Sequence, residues 1–515
     1  MISSEKKILS YGEWEDSAIE RHDLYNFEAK IDYTAEESSK HKKTSYLLEL
    51  YFFIPEVLQI NRDSYTKDQF FLDLNNRIRF KTPQMSIEGI LNKENQLSPI
   101  FRIIENLKQI EFGNITDKIK TRVEREIRLL ACIIKVILRD QINYLVKDLQ
   151  DLKKRCDLEK LIEDYIISLK DFQHKLDFLM TKFTKAQIPA KLRQSFQFSI
   201  EYISIQIEKY MTLVFKKVGR EFSNKIQKKL IDIIETEQKR RRSFSERSLI
   251  KLEDTNETYS YYKGILKKYV QGVLYLDKKD KNPKSTSTQI LYSVVEAVAM
   301  FFSLFLGFLF LDNFVEYSIP FIIAAVVIYM LKERIKDNAK AFSNKALGLI
   351  FPDERHEITD EFYNEQIGIS KEKVRFLKWK EVPAGILKIR SSSNISSLEA
   401  KGKPEKVLFY NQKITLFNHE IDKIHTRKHN LSNILRFNIR QFLKYMDDPI
   451  EYISHWNNTT KEVHQMGIAN VYHLNIVYKL TSFKGTEQEE IQFNKFRVIL
   501  DQKGIKRVEE PQFIL

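Results

Sequence analysis

Residues 290–311 read ILYSVVEAVAMFFSLFLGFLFL, 312–318 read DNFVEYS, and 319–331 read IPFIIAAVVIYML. A helix over the 22 residues Ile290–Leu311 is about 33 Å long, enough to cross a hydrocarbon core of about 30 Å. The 17 residues Val315–Leu331 give about 25 Å, the lower limit for a span. Asp312, Asn313 and Glu316 form the polar break. Pro320 falls in the first turns of the second helix, where a missing N–H is tolerated. The expectation is a helical hairpin inserted in a membrane.

Charge on either side of this stretch fixes the expected topology. Lys263, Lys267, Lys268, Lys278, Lys279, Lys281 and Lys284 precede it, and Lys332, Arg334, Lys336, Lys340 and Lys345 follow it. The tip carries only acids. Lys and Arg near span ends are retained on the cytoplasmic side, so both flanks are expected inside and the tip outside. MISSEKKILSYGEWEDS is too polar for a signal peptide. The expected location is the cell membrane, multi-pass, with both termini cytoplasmic. Two cysteines, Cys132 and Cys156, with no metal-ligand spacing around them, fit reduced packing residues.

Working outward, Phe27, Ala29, Ile31 and Tyr33 alternate with polar residues, and Tyr46–Ile54 is a nearly continuous apolar run ended by Pro55. Both read as strands, able to pair as a hairpin. A helix follows around Lys67–Asn75. From about Leu97 to Phe244 the pattern is helical. Asn114–Asp117 starts one helix, and Ile162, Tyr165, Leu169, Phe172, Leu176, Leu179 and Phe183 mark a heptad seam. Beyond Pro189 a third helix is expected from about Ala190 to Arg240. After Leu331 a helical stripe runs to Pro352 as a stalk. IGISKEKVRFLKW and VLFYNQKITLFN read as strands around a Ser- and Lys-rich loop, 391–406. A helix over Asn430–Met446 precedes further strands, with a turn at Lys503-Gly504.

The expected fold is mainly α with two α+β parts. A small mixed α/β unit (1–95) leads to a long-helix bundle or coiled-coil arm (96–286). The transmembrane hairpin (287–331), a helical stalk (332–352) and a C-terminal α+β domain (353–515) follow.

Chemistry is sparse. There are only 14 glycines, none spaced as GxGxxG or GxxxxGK[ST], which disfavours Rossmann and P-loop nucleotide enzymes. No GxSxG nominates a serine nucleophile. No catalytic residue and no cofactor emerges, and the chain reads as a non-enzyme. Six of the ten histidines fall between His419 and His473. His425 and His429, at i and i+4, are weak metal candidates, because Lys423, Arg427 and Lys428 repel a cation. Asp447-Asp448 before Pro449 reads as a helix stop.

Inside the first span, Glu296, Ala299, Ser303 and Gly307 form a packing face. Small residues there let helices approach, and an acid at that depth is a functional candidate. The formal charge of +14 suits anionic lipid headgroups. Lys239, Arg240, Arg241 and Arg242, with Lys332, Arg334 and Lys336, are the expected headgroup or anion contacts.

The functional expectation is a two-span membrane-anchored cytoplasmic sensor, scaffold or effector with a cytoplasmic protein partner. One alternative is an oligomeric pore-forming effector, a homo-oligomer with Glu296 lining a conduit. Another is a membrane-tethered enzyme or nucleic-acid binder acting through the C-terminal domain, with nucleic acid a lesser partner.

Overall fold

The computed structural model describes residues 19–511 apart from 34–40, 114, 149–154, 186, 219–222, 252–254, 281–282, 312–317, 351, 393–404, 426, 428–429 and 487–488. Asp312, Asn313, Glu316, His429, the polar amino-terminal stretch and most of the 391–406 loop therefore lie outside the described residues.

Strand β3 (Lys43–Pro55) organises the molecule. It lies inside an antiparallel eight-stranded sheet of order β14-β13-β12-β3-β8-β7-β6-β5. The other members are β5 (Asp277–Asp280), β6 (Glu354–Asp360), β7 (Glu365–Leu377) and β8 (Glu405–Phe417) on one side. On the other are β12 (Tyr472–Ser482), β13 (Glu490–Asp501) and β14 (Gly504–Glu509). Leu50 pairs with Tyr410 of β8 and with Tyr478 of β12. A strand covered on both faces needs apolar residues at consecutive positions, which explains the run Tyr46–Ile54. Its even-numbered side chains enter the main core, and Tyr51 and Phe53 enter a smaller one under helix α11 (Ala384–Ser391).

A second sheet, β1-β2-β9-β4, packs on the first. Its strands are β1 (Ile19–Arg21), β2 (Asn26–Tyr33), β4 (Leu74–Phe80) and β9 (Leu431–Asn438). Phe437 of β9 lies 5.4 Å from Phe52 of β3, ring to ring, which joins the layers. Strands β10 (Ile450–Asn457) and β11 (Glu462–Ala469) form an exposed ribbon. At the turn into β14, Gly504 has φ +132°, and a Cβ there would overlap the Leu24 carbonyl, so the Lys503-Gly504 turn requires glycine.

Short helices α1 (Lys67–Asp73), α2 (Ile87–Leu91) and α3 (Pro99–Glu111) each begin with a hydroxyl cap: Thr66, Ser86 and Ser98. The helical layer continues with α4 (Asp117–Asp148), α5 (Arg155–Phe183), α6 (Ala190–Val218), α7 (Asn224–Arg242) and α8 (Glu257–Gln271). The heptad residues of α5 are buried, and Phe183 stacks on Phe196 of α6 at 4.0 Å. α9 (Pro283–Leu311) and α10 (Ile319–Ile350) pack on each other, and α12 (Asn418–Ile424) completes the set.

The expected fold class is corrected in two respects. Among the described residues only α9 is long and apolar enough to cross a membrane, over Tyr292–Leu309 with mean hydropathy 1.9, so the two-helix transmembrane hairpin is not what the structure gives. The described part of the second apolar stretch begins at Ile319. The 13 residues from there to Leu331 rise only about 20 Å before Lys332. Nor are there two separate α+β parts, because strands from 1–95 and from 353–515 lie in the same sheets.

Three local expectations change with it. β2 and β3 belong to different sheets and form no hairpin with each other. Asn430–Met446 is the strand β9 followed by a 3-10 turn, not a helix, because β2 and β4 claim its backbone on both sides. The third long helix is two, α6 and α7.

Candidate functional site

The apolar helix pair and the sheet edge that carries it are the most distinctive feature of the molecule. α9 is apolar on all sides, and only 6% of its Tyr292–Leu309 window is buried. Ten large apolar side chains of α9, Phe301, Leu304 and Phe308 among them, and nine of α10 are exposed. A helix apolar all round belongs inside a large core or in lipid. Ala299 is 1% exposed, covered where α10 packs, with Ser303 and Gly307 half-buried and Glu296 exposed.

Where the second helix turns polar, Lys332 lies over the Tyr329 ring at 4.8 Å and 3.8 Å from Glu333. Lys336 is held above the usual lysine range by its hydrogen bond to Glu333, with the Glu296 charge a lesser contributor. Arg334 is exposed.

Both ends of the pair return to one place. β5 lies just before α9, β6 just after α10, and they pair antiparallel from Asp277↔Thr359 to Asp280↔His356. At this root His356 Nδ1 is 2.8 Å from Asp280 Oδ1, and its Nε2 is 3.0 Å from Glu354 Oε2 and 4.0 Å from Glu372 Oε1. Ligand atoms of Glu354, His356 and Glu372 lie within 4.8 Å of one another, a donor set suited in type to a divalent cation. Lys278 Nζ, however, already stands 3.1 Å from Glu372 Oε1, while Tyr410 donates to Oε2 at 2.7 Å and Ser370 to Oε1 at 3.0 Å. Burial alone would raise the Glu372 pKa, but Lys278, Tyr410 and His356 hold it below the usual carboxylate range. His356 is raised, first by the Glu354 hydrogen bond. With Lys278 supplying the positive charge, the cluster is an ion-pair lock on the sheet edge.

The other sequence candidates fall elsewhere. Arg241 is 2% exposed, ion-paired to Glu208, and donates to the Ser248 carbonyl at 3.1 Å. Arg240 is buried beside Glu237 and 2.9 Å from Asp177. Both close the helical layer from within, which leaves Lys239 and Arg242 exposed. His425 follows α12 in extended backbone, so it offers no helical face to share with His429. Its ring lies between Arg125 Nη2 (2.7 Å from Nδ1) and Asp360 Oδ2 (2.9 Å from Nε2). Burial pushes its pKa down. Next to it Arg427 grips both oxygens of Glu126, at 2.9 and 2.8 Å, and donates to the Leu97 carbonyl. Asp447 accepts the Tyr472 hydroxyl at 2.6 Å on the surface. Cys132 is buried and in no disulfide, its thiol donating to the Val270 carbonyl at 3.6 Å.

Sequence reasoning missed the His356 cluster. Glu354 and His356 share a strand face by their i, i+2 spacing, but their partners come from two other strands. No protein-family model, no curated protein and no solved structure matches this chain.

Proposed function

We propose that this protein is a membrane-attached sensor or scaffold without catalytic machinery of its own. The apolar helix α9 seats in a bilayer, α10 returns the chain to the sheet, and that sheet carries the state of the membrane-seated helix to the rest of the body. The observation that carries this reading is the exposed apolar surface of α9 together with its return, through α10, to the β5–β6 edge. An exposed apolar surface of this kind marks a membrane or partner contact, and lipid covers it without the penalty water imposes. Lys332, Arg334 and Lys336 follow the apolar part of α10, a position that suits anionic headgroups. By the same charge bias the body lies on the cytoplasmic face.

The reading is tested by carbonate extraction of membranes from cells expressing the full chain. The wild type is expected in the washed membranes. Leu304→Lys with Phe308→Lys, at about 2.5–3.5 kcal/mol per lysine near a helix centre, is expected to move most of the protein to the soluble fraction. Wild-type protein extracted by carbonate would overturn the reading.

A further inference from the structure

The outward face of the four-stranded sheet is charged. Strand alternation sends Ile78 and Phe80 of β4 into the core and Arg77, Arg79 and then Lys81 to the other side. β9 and β2 lie beside it in register, with Ile434 opposite both Lys30 and Arg77. Helix α8 and Tyr275, which bridges to Arg79 across the open edge of β4, wall this face, and Arg139 of α4 closes it. The result is a hollow of about 820 Å³ lined by nine cationic side chains against three carboxylates.

The three carboxylates are already engaged. Glu20 holds Lys30 at 2.7 Å, Asp32 holds Lys81 at 2.7 Å, and Glu28 holds Arg436 at 2.6 Å. Arg21, Arg77, Arg79, Lys267 and Lys268 have no carboxylate partner among the described residues. Arg77 donates only to Asn75 Oδ1, and Arg21 only to backbone carbonyls. Arg79 Nε is buried with no acceptor, an arrangement that costs free energy until an anion fills it. These cations come from β1, β4 and α8 and converge on one volume of small-ligand size. A lone carboxylate is too small to meet them together. Ile434 and Tyr275 are the main apolar surfaces present, so no platform for stacking successive bases is built.

We propose that this hollow binds a small polyphosphate, a ligand bearing two or more phosphate groups, either free in solution or as the headgroup of a lipid. Arg77 and Arg79 would fork onto phosphate oxygens, and Lys267 and Lys268 would meet the remaining charge from above. This does not depend on the membrane reading, since the hollow lies in the sheet and bundle and not in the helix pair.

The test is calorimetric titration of the full chain in nonionic detergent with inorganic tripolyphosphate. One saturable site per chain, weakening as salt rises, is expected at low ionic strength. Arg77→Ala with Arg79→Ala should weaken binding about tenfold or more, the loss of at least one charge-assisted contact. Lys267→Glu with Lys268→Glu, on the exposed side of α8 where folding is unaffected, should do the same. Lys239→Ala with Arg242→Ala, exposed on α7, should leave binding unchanged. Competition by phosphatidylcholine vesicles containing phosphatidylinositol bisphosphate, and not by phosphatidylcholine alone, would assign the phosphates to a lipid; no competition would assign them to a soluble compound. Absence of binding at low salt, equal weakening in the α7 control, or displacement of the polyphosphate by lower concentrations of duplex oligonucleotide would each overturn the proposal.

Discussion

At the scale of single residues, the most consequential side chains are buried charges whose partners lie hundreds of positions away. Arg427 and Glu126 are both almost fully buried, and their two-point contact joins α4 to the segment between α12 and β9. Removing one partner of a buried pair leaves the other charge desolvated. Arg427→Ala should therefore destabilise the chain by about 3 kcal/mol, the low end of the range for such breaks, because Arg102 remains 3.6 Å from Glu126. A denaturant midpoint that barely moves would show that the pair is not structural. None of this was legible in the sequence. In the sequence Arg427 reads only as a charge that repels a metal, since nothing local announces that a carboxylate on a distant helix will meet it.

At the scale of elements, the β5–β6 pairing holds the root of the helix pair, and His356 makes it sensitive to pH. Glu354 of β6, Asp280 and Lys278 of β5, and Glu372 of β7 face the ring. The folded-state pKa of His356 is raised above its ordinary 6.5. Its contribution is therefore complete below that ordinary value and is lost as pH rises through the folded value. Amide exchange protection of 277–280 and 354–360, corrected for intrinsic rates, should fall as pH rises above 6.5. His356→Gln should remove the difference. Protection that is flat or grows with pH in the wild type would contradict the assignment. The strands around this lock were partly legible: β7 follows the IGISKEKVRFLKW pattern, whereas β5, four residues of Asp and Lys, carries no strand signal of its own.

At the scale of the whole molecule, strands from the amino- and carboxy-terminal thirds are joined in one sheet. β3 lies between β8 and β12, so residues 353–515 alone would leave two apolar strand edges facing an empty place. That fragment should fail to unfold cooperatively and should aggregate, as unpaired apolar edges do. A soluble 353–515 fragment with a sharp thermal transition would show that β3 is dispensable. Such long-range pairing also closes large loops before it is rewarded, which favours slow folding.

Elements whose character does not depend on neighbours can be read from local pattern alone. α9 is apolar all round, α5 carries its heptad seam, β3 is a continuous apolar run, and Gly504 marks a turn only glycine can make. Tertiary structure decided what those elements do together. Asn430–Met446 satisfies a helical and a strand period alike, and only hydrogen bonds to β2 and β4 selected the strand. The cationic hollow arises because Arg77 and Arg79 on one strand meet Lys267 and Lys268 on a helix nearly two hundred residues later. Local patterns fix which face of an element is apolar; which charges converge is fixed by non-local pairing, and that is written in no single stretch of the chain.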